Sequence, residues 1–273
     1  MEARNYMLAV DLDGTLLRSD LTVSARNRAA IANLLAMGVQ VVFATGRTYS
    51  SAAWYAALWP DYTLWIAACN GAIIRPADGG SPVQERIIPL PVARQFADWA
   101  QQEGFYLKTY VDDLLLVPKA VEETWSFSES RRMSFQEVGD VAKALKKGPA
   151  KMVIIDTPDR IAAREAGIVR LWGGVLEITS STPDCLEFTA AGVSKGSALK
   201  FLTQRLNIEP NRVAAIGNER NDLSMIDWAG YGGAVANAPS SVRKTARVVV
   251  GDHDDDGVAE FIDAWLAREQ MKP

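Results

Sequence analysis

Asp11 and Asp13 stand two residues apart in Asp11-Leu-Asp-Gly-Thr15. They follow Tyr6–Val10, an apolar run that reads as a buried strand, and Gly14 breaks it. Carboxylates this close repel unless a cation or a proton lies between them. Ligands of open α/β sheets bind beyond the carboxyl ends of the strands, so a chemical role is favoured over a solvated turn. Three later stretches supply matching partners. In Thr45-Gly46-Arg47 a hydroxyl can donate to a phosphoryl oxygen, a glycine lets its backbone approach closely, and a guanidinium can fork onto phosphate or leaving group. A surface ion pair is the plain alternative for Arg47. Lys195 falls in the first turn of a predicted helix capped by Ser194, where a cation opposes the helix dipole by ~0.3–1 kcal/mol unless an anion binds there. Gly217-Asn-Glu-Arg-Asn-Asp222 offers Asn218 and Asp222 as hard oxygen ligands of the kind Mg²⁺ requires, with Asn221 as a helix cap. The acidic run Asp252–Asp256 reads as a solvated loop capping the final helix rather than as a metal site.

These residues need strands to hold them. Val39–Ala44 and Leu64–Ala68 read as strands, with helices after Ser24 and over Tyr49–Leu58 between them. The alternation implies a parallel sheet. From Ser194 it resumes: a helix to about Leu206, a strand Arg212–Ile216, a helix Leu223–Trp228, strands Tyr231–Val235 and Arg247–Val250, and a last helix Val258–Ala267. The middle is irregular. A hairpin is expected over Phe105–Val117, strands at Lys151–Ile155, Val175–Thr179 and Leu186–Thr189, and helices at Val92–Glu103, Val121–Ser128 and Val141–Lys147. The economical division is a Rossmann-like α/β core of residues 1–80 and 188–273, three layers around a parallel sheet, interrupted by an α/β cap of residues 81–187.

The 273 residues include 48% hydrophobic and 23% charged types, ordinary for a well-cored globular protein. A net charge of −4 argues against nucleic acid as partner, since phosphate backbones need clustered Lys and Arg. Two cysteines far apart form neither a disulfide framework nor a zinc pattern. No apolar run reaches the ~18 residues needed to span a bilayer, and the N-terminus carries no signal-peptide pattern. A cytoplasmic monomer or weak homodimer, with no membrane partner, is expected.

The chain resembles the haloacid dehalogenase-like phosphohydrolase superfamily, in its Cof-type branch. The matching residues run in family order: Asp11-Leu-Asp-Gly-Thr15, Thr45-Gly-Arg47, Asn70-Gly-Ala72, Val193-Ser-Lys-Gly-Ser-Ala-Leu199, Gly217-Asn-Glu-Arg-Asn-Asp222 and Asp256-Gly-Val-Ala259. The resemblance implies Mg²⁺-dependent hydrolysis of a small phosphorylated metabolite through an aspartyl-phosphate. Asp11 would attack phosphorus, and Asp13 would protonate the leaving oxygen and then deprotonate water. Thr45, Gly46, Arg47, Asn70, Lys195 and Asn221 would bind phosphate or substrate. Asp11, Asp13, Asn218 and Asp222 would hold the metal. The fourth motif of this branch begins Gly-Asp, so Asn218 removes one anionic ligand. Sugar phosphates are the first expectation, and flavin-pathway or pyridoxal phosphate substrates the second. A sugar phosphomutase and a non-catalytic phosphometabolite-binding regulator are the alternatives. Most aromatic residues of the cap are expected in its core, so they do not set the substrate.

Overall fold

The computed structural model describes residues 5–270. Its larger sheet is built from β1 (Met7–Val10), β2 (Gln40–Ala44), β3 (Trp65–Ala68), β4 (Ile73–Pro76) and β5 (Gln84–Glu85), joined later by three further strands. The smaller sheet takes β6 (Tyr106–Val111), β7 (Leu114–Val117), β8 (Phe135–Glu137), β9 (Lys151–Ile155), β10 (Leu176–Thr179) and β11 (Cys185–Ala190). The chain then returns to the larger sheet with β12 (Val213–Gly217), β13 (Tyr231–Val235) and β14 (Val248–Val250). The larger sheet has the order β14-β13-β12-β1-β2-β3-β4-β5, parallel through β3 and antiparallel from β4.

Alternation along the central strands shows why the core has three layers. Leu8 and Val10 of β1 face one apolar cluster, while Met7 and Ala9 face another. Val41 and Phe43 of β2 side with the first, Val42 and Ala44 with the second. A strand buried on both faces needs helices on both. The first layer is helices Ala25–Ala36, Tyr49–Ala56 and Gly257–Glu269, through side chains such as Ile31, Tyr55 and Trp265. The second is Lys195–Leu206, Leu223–Trp228 and Ser240–Thr245, through Leu199, Met225 and Val242.

The inserted sheet, β10-β11-β9-β6-β7-β8, works differently. One face packs Leu107, Met152, Ile154 and Phe188 against the helices Leu90–Gln102 and Pro158–Trp172. The other face carries Tyr110, Val153 and Cys185 and meets the core, where it shares a cluster with Cys69, Ala72 and Val193. The β6–β7 hairpin turns on Asp112 and Asp113, both at positive φ (49° and 61°), as a two-residue primed turn requires.

Gln84–Glu85 pairs with Ile73 and Ile74 in the larger sheet, and β11 runs on to Ala190. Two expectations change. The helix expected over Val141–Lys147 is a single turn, Val141–Ala144. The helix Pro158–Trp172 was not expected. Thr157 caps it, accepting from the Arg160 amide, and Pro158 sits at its start, but it buries only Ile161, Ile168 and Trp172 along fifteen residues. Among the described residues no helix is long and apolar enough to cross a membrane.

Candidate active site

The strand-end residues converge. Asp11 follows β1, Thr45 follows β2, Asn70 follows β3 and Asn218 follows β12, so parallel pairing brings four loops to one edge of the sheet. Lys195 opens its helix after the chain leaves the cap. There Ser194 accepts from the Ser197 amide, and the Ser197 hydroxyl meets the Ser194 amide in return. That double cap fixes the first turn and aims the Lys195 side chain inward. Its Nζ lies 2.6 Å from Asp11 Oδ1 and 2.5 Å from Asp222 Oδ1, with only 1% of the lysine exposed. Burial alone would lower the ammonium's pKa, but Asp11 and Asp222 outweigh it and hold it above the ordinary value. Burial pushes the Asp11 carboxyl up, Asp222 and Asp13 add to that, and Lys195 opposes it. The floor of the site is therefore short of positive charge.

Asp13 sits in a different environment. Arg47 forks onto it, Nε donating to Oδ2 at 2.9 Å and Nη2 to Oδ1 at 2.6 Å. Arg131, at the end of the cap helix Glu122–Arg131, pairs with the same carboxylate from above. Burial would raise the Asp13 pKa, but Arg131 and Arg47 together hold it below the usual carboxylate range. Arg47 is 4% exposed, so a surface ion pair does not describe it, and it lines the cavity. It is a buried clamp on Asp13. Thr45 Oγ1 accepts from the Arg47 amide at 3.1 Å, which leaves the hydroxyl hydrogen free to donate elsewhere.

Asn218 bears on the metal question. Its side-chain amide, with the nitrogen turned inward, donates to the Asp13 carbonyl at 3.1 Å, to Thr15 Oγ1 at 3.1 Å and to Asp11 Oδ2 at 3.3 Å. Rotating the amide would put its oxygen among the same groups. An Asp11 carboxylate oxygen, the Asp13 carbonyl and an amide oxygen in one spot form a hard-oxygen donor set, and they fit Mg²⁺. Gly14, at φ 70°, leaves the room: a Cβ there would press on the Asn218 side-chain amide.

Asp222 does not join that set. Oδ1 is taken by Lys195, and Oδ2 accepts from the backbone amides of Asn218 and Glu219, each at 2.9 Å. The carboxylate folds back into space that a Cβ at Gly217 would occupy, 2.3 Å from Asp222 Cγ. Its geometry makes it the brace of Lys195 rather than a metal ligand. Asn221 makes no capping bond. Its Nδ2 donates to Asn70 Oδ1 at 3.3 Å, and Asn70 Nδ2 donates to Glu187 Oε2 at 2.5 Å. Glu187 also takes Ser181 Oγ at 2.6 Å and pairs with Lys151 at 3.5 Å, while Lys151 Nζ reaches the Gly46 carbonyl at 2.8 Å. Asn70 thus ties core to cap instead of facing the cavity, whereas Asn221 and Gly46 do line it. The Asp252–Asp256 loop lies outside the cavity lining. Asp252, His253 and Asp254 could offer ligand atoms within 4.8 Å of one another, but Asp254 is spent on the Ser19 amide and hydroxyl, at 2.8 and 2.7 Å. Asp256 starts the final helix without a side-chain cap bond.

Between core and cap lies a cavity of about 480 Å³. Asp11, Asp13, Arg47 and Asn218 form its floor. Its roof is cap side chains: Lys108, Tyr110, Phe127, Arg131, Met133 and Val153. Sequence reasoning gave none of these roof residues a role. Lys108 had a detectable signal, a lysine within a predicted strand with Tyr106 and Tyr110 on its own face.

The model of a family described as haloacid dehalogenase-like hydrolase matches residues 8–262. The 5-amino-6-(5-phospho-D-ribitylamino)uracil phosphatase YitU of Bacillus subtilis is 26% identical over 98% of this chain and 100% of its own length. The pyridoxal phosphate phosphatase YbhA of Escherichia coli is 26% identical over 95% of this chain and 98% of its own. A crystal structure of a haloacid dehalogenase-like hydrolase from Bacteroides thetaiotaomicron superposes with a TM-score of 0.82, at 28% identity over 95% of this chain and 99% of that one. The chain belongs to the haloacid dehalogenase-like hydrolase family, in its Cof-type phosphohydrolase branch.

Proposed function

We propose that this phosphoric monoester hydrolase cleaves a small phosphorylated metabolite in two displacements, with Asp11 as nucleophile and Mg²⁺ as cofactor. The observation that carries this reading is the placement of Asp11. One oxygen is fixed by Lys195 at 2.6 Å, the other lies beside the Asp13 carbonyl and the Asn218 amide, and the carboxylate lines the cavity between the two sheets. A dianionic phosphate ~4 Å from a carboxylate is repelled by several kcal/mol even at an effective dielectric of about 20. Lys195 offsets part of that repulsion. A bound Mg²⁺, held by Asp11, the Asp13 carbonyl and Asn218, would supply further charge neutralisation. Thr45 donates its free hydroxyl hydrogen to a phosphoryl oxygen. Asp13, aimed by the Arg47 fork, protonates the leaving oxygen and then takes the proton of the attacking water. The ionised state that Arg47 and Arg131 favour suits the second task. The first requires Arg131 to turn from Asp13 toward the incoming phosphate.

The roof bears on the substrate. The cap side of the cavity sets an apolar stretch of Phe127, Met133 and Val153 beside hydrogen-bonding groups from Lys108, Ser181, Thr182 and Asp184. A phosphorylated metabolite that joins a ring to polar groups fits that lining. This favours the second expectation, flavin-pathway or pyridoxal phosphate substrates, in line with the activities named for the B. subtilis and E. coli relatives. Asp11→Asn is the test. The change is nearly isosteric and removes the nucleophilic charge, so Mg²⁺-dependent phosphate release should fall by at least about a thousandfold with the fold intact. A variant that kept a tenth of wild-type turnover would rule the mechanism out.

A further inference from the structure

Lys108 is 6% exposed, yet among the described residues no carboxylate reaches its ammonium and no hydrogen bond engages it. Its Nζ rests 3.6 Å from the centroid of Phe127 and lines the cavity. The other cap cations there are already matched, Lys151 by Glu187 and Arg131 by Asp13. Arg131 Cζ lies 5.6 Å from the Phe127 ring and pairs with Asp13 on the floor, while Lys108 lies closer to the ring and pairs with no floor residue. An ammonium withdrawn from water without a counter-ion is costly, and proteins seldom keep one unless a ligand supplies the partner.

We propose that Lys108 binds an anionic oxygen, a carboxylate or an acidic ring oxygen, at the end of the substrate remote from its phosphate. The enzyme would then take phosphate monoesters that carry two negative groups joined by a compact body. This rests on the phosphatase reading above and adds to it a rule for substrate choice. The surroundings agree. Burial pushes the Lys108 pKa down to about 8, with Cys185 and Asp184 on the cap pulling it up and Arg131 and Lys151 pushing it further down. Lys108 therefore stays cationic at neutral pH while having no fixed partner. The Phe127 face covers the ammonium but leaves its donor hydrogens available.

A matched pair of probes tests this. 4-Carboxybenzyl phosphate and 4-carbamoylbenzyl phosphate have the same shape and a similar leaving group and differ in distal charge. Wild type should favour the carboxylate by about 10- to 100-fold in kcat/KM, the range of a hydrogen bond to a charged group. Lys108→Met should abolish that preference and leave hydrolysis of the carbamoyl compound within about twofold. Binding of the corresponding non-hydrolysable phosphonates, followed by calorimetry, reads the same preference without turnover. Circular dichroism establishes that Lys108→Met is folded, and Lys108→Gln repeats the measurement if it is not. Equal affinity of wild type for the two phosphonates, or a preference that survives loss of Lys108, would overturn the inference. Absence of hydrolysis of either phosphate by wild type, with the binding preference intact, would instead count against the phosphatase reading alone.

Discussion

Two buried lysines stand on opposite sides of one cavity, Lys195 behind Asp11 on the floor and Lys108 in the roof, and their surroundings differ. On the core floor Lys195 sits between Asp11 and Asp222, and Asp222 in turn is held by two backbone amides. On the cap roof Lys108 meets a phenyl ring and no anion. The floor holds its charges in fixed pairs, as pre-organised stabilisation of a reaction demands. The roof leaves one charge for whatever arrives. On the proposed reading chemistry and selection are separated by domain, and the difference can be measured.

The largest effect should come from Lys195→Met. It strands two buried carboxylates, and removal of one partner from a buried ion network costs about 3–5 kcal/mol. Urea denaturation should show that loss, and phosphate release should fall to background. Arg47→Met should cost less, about 1–3 kcal/mol, because Arg131 still reaches Asp13 and the Asp13 side chain is 31% exposed. Lys108→Met should fall at the other extreme, melting no lower than wild type, since it removes a buried charge that has no partner. If Lys108→Met destabilised as strongly as Lys195→Met, the contrast between floor and roof would collapse.

Asn218 sharpens the comparison on the floor. A carboxylate in its place would crowd Asp11 Oδ2 and the Asp13 carbonyl, which the amide now contacts at 3.3 and 3.1 Å. Asn218→Asp should therefore melt lower than wild type without metal and gain more from added Mg²⁺. Its half-saturating Mg²⁺ concentration for phosphate release should also be several-fold lower, by added Coulomb attraction. An unchanged half-saturation would place the metal away from Asn218. The smallest effect concerns pH. Lys108 is cationic below its pKa of about 8 and neutral above it. The preference of kcat/KM for 4-carboxybenzyl over 4-carbamoylbenzyl phosphate should be full near pH 7 and decline as the pH rises through 8, with Lys108→Met flat across the range.

The floor was readable in the sequence because its residues stand where chain geometry announces itself. Asp11, Thr45 and Asn218 each directly follow an apolar strand, Asn70 comes one residue after another, and glycines at 14, 46, 71 and 217 mark the turns. Parallel pairing then does the convergence. Asp222 was assigned to the metal because spacing shows that a carboxylate is near, not which way it turns. The empty side of Gly217, which decides that, shows only in three dimensions. The roof was harder. Lys108 lies in mid-strand and Arg131 at the end of an exposed helix, positions where a cation is usually solvated, and they become site residues only when the inserted sheet lies down on the core. The helix Pro158–Trp172 hid for a related reason: it buries three apolar side chains in fifteen residues, too sparse a stripe to stand out.

Stereochemistry at phosphorus tests most directly whether Asp11 forms a covalent intermediate. With a substrate whose phosphoryl oxygens are isotopically chiral, hydrolysed in labelled water, two successive in-line displacements return the original configuration. Net retention is the result expected if Asp11 attacks first and water second. Net inversion would mean that water attacks the substrate directly, and that Asp11 only positions metal and phosphate.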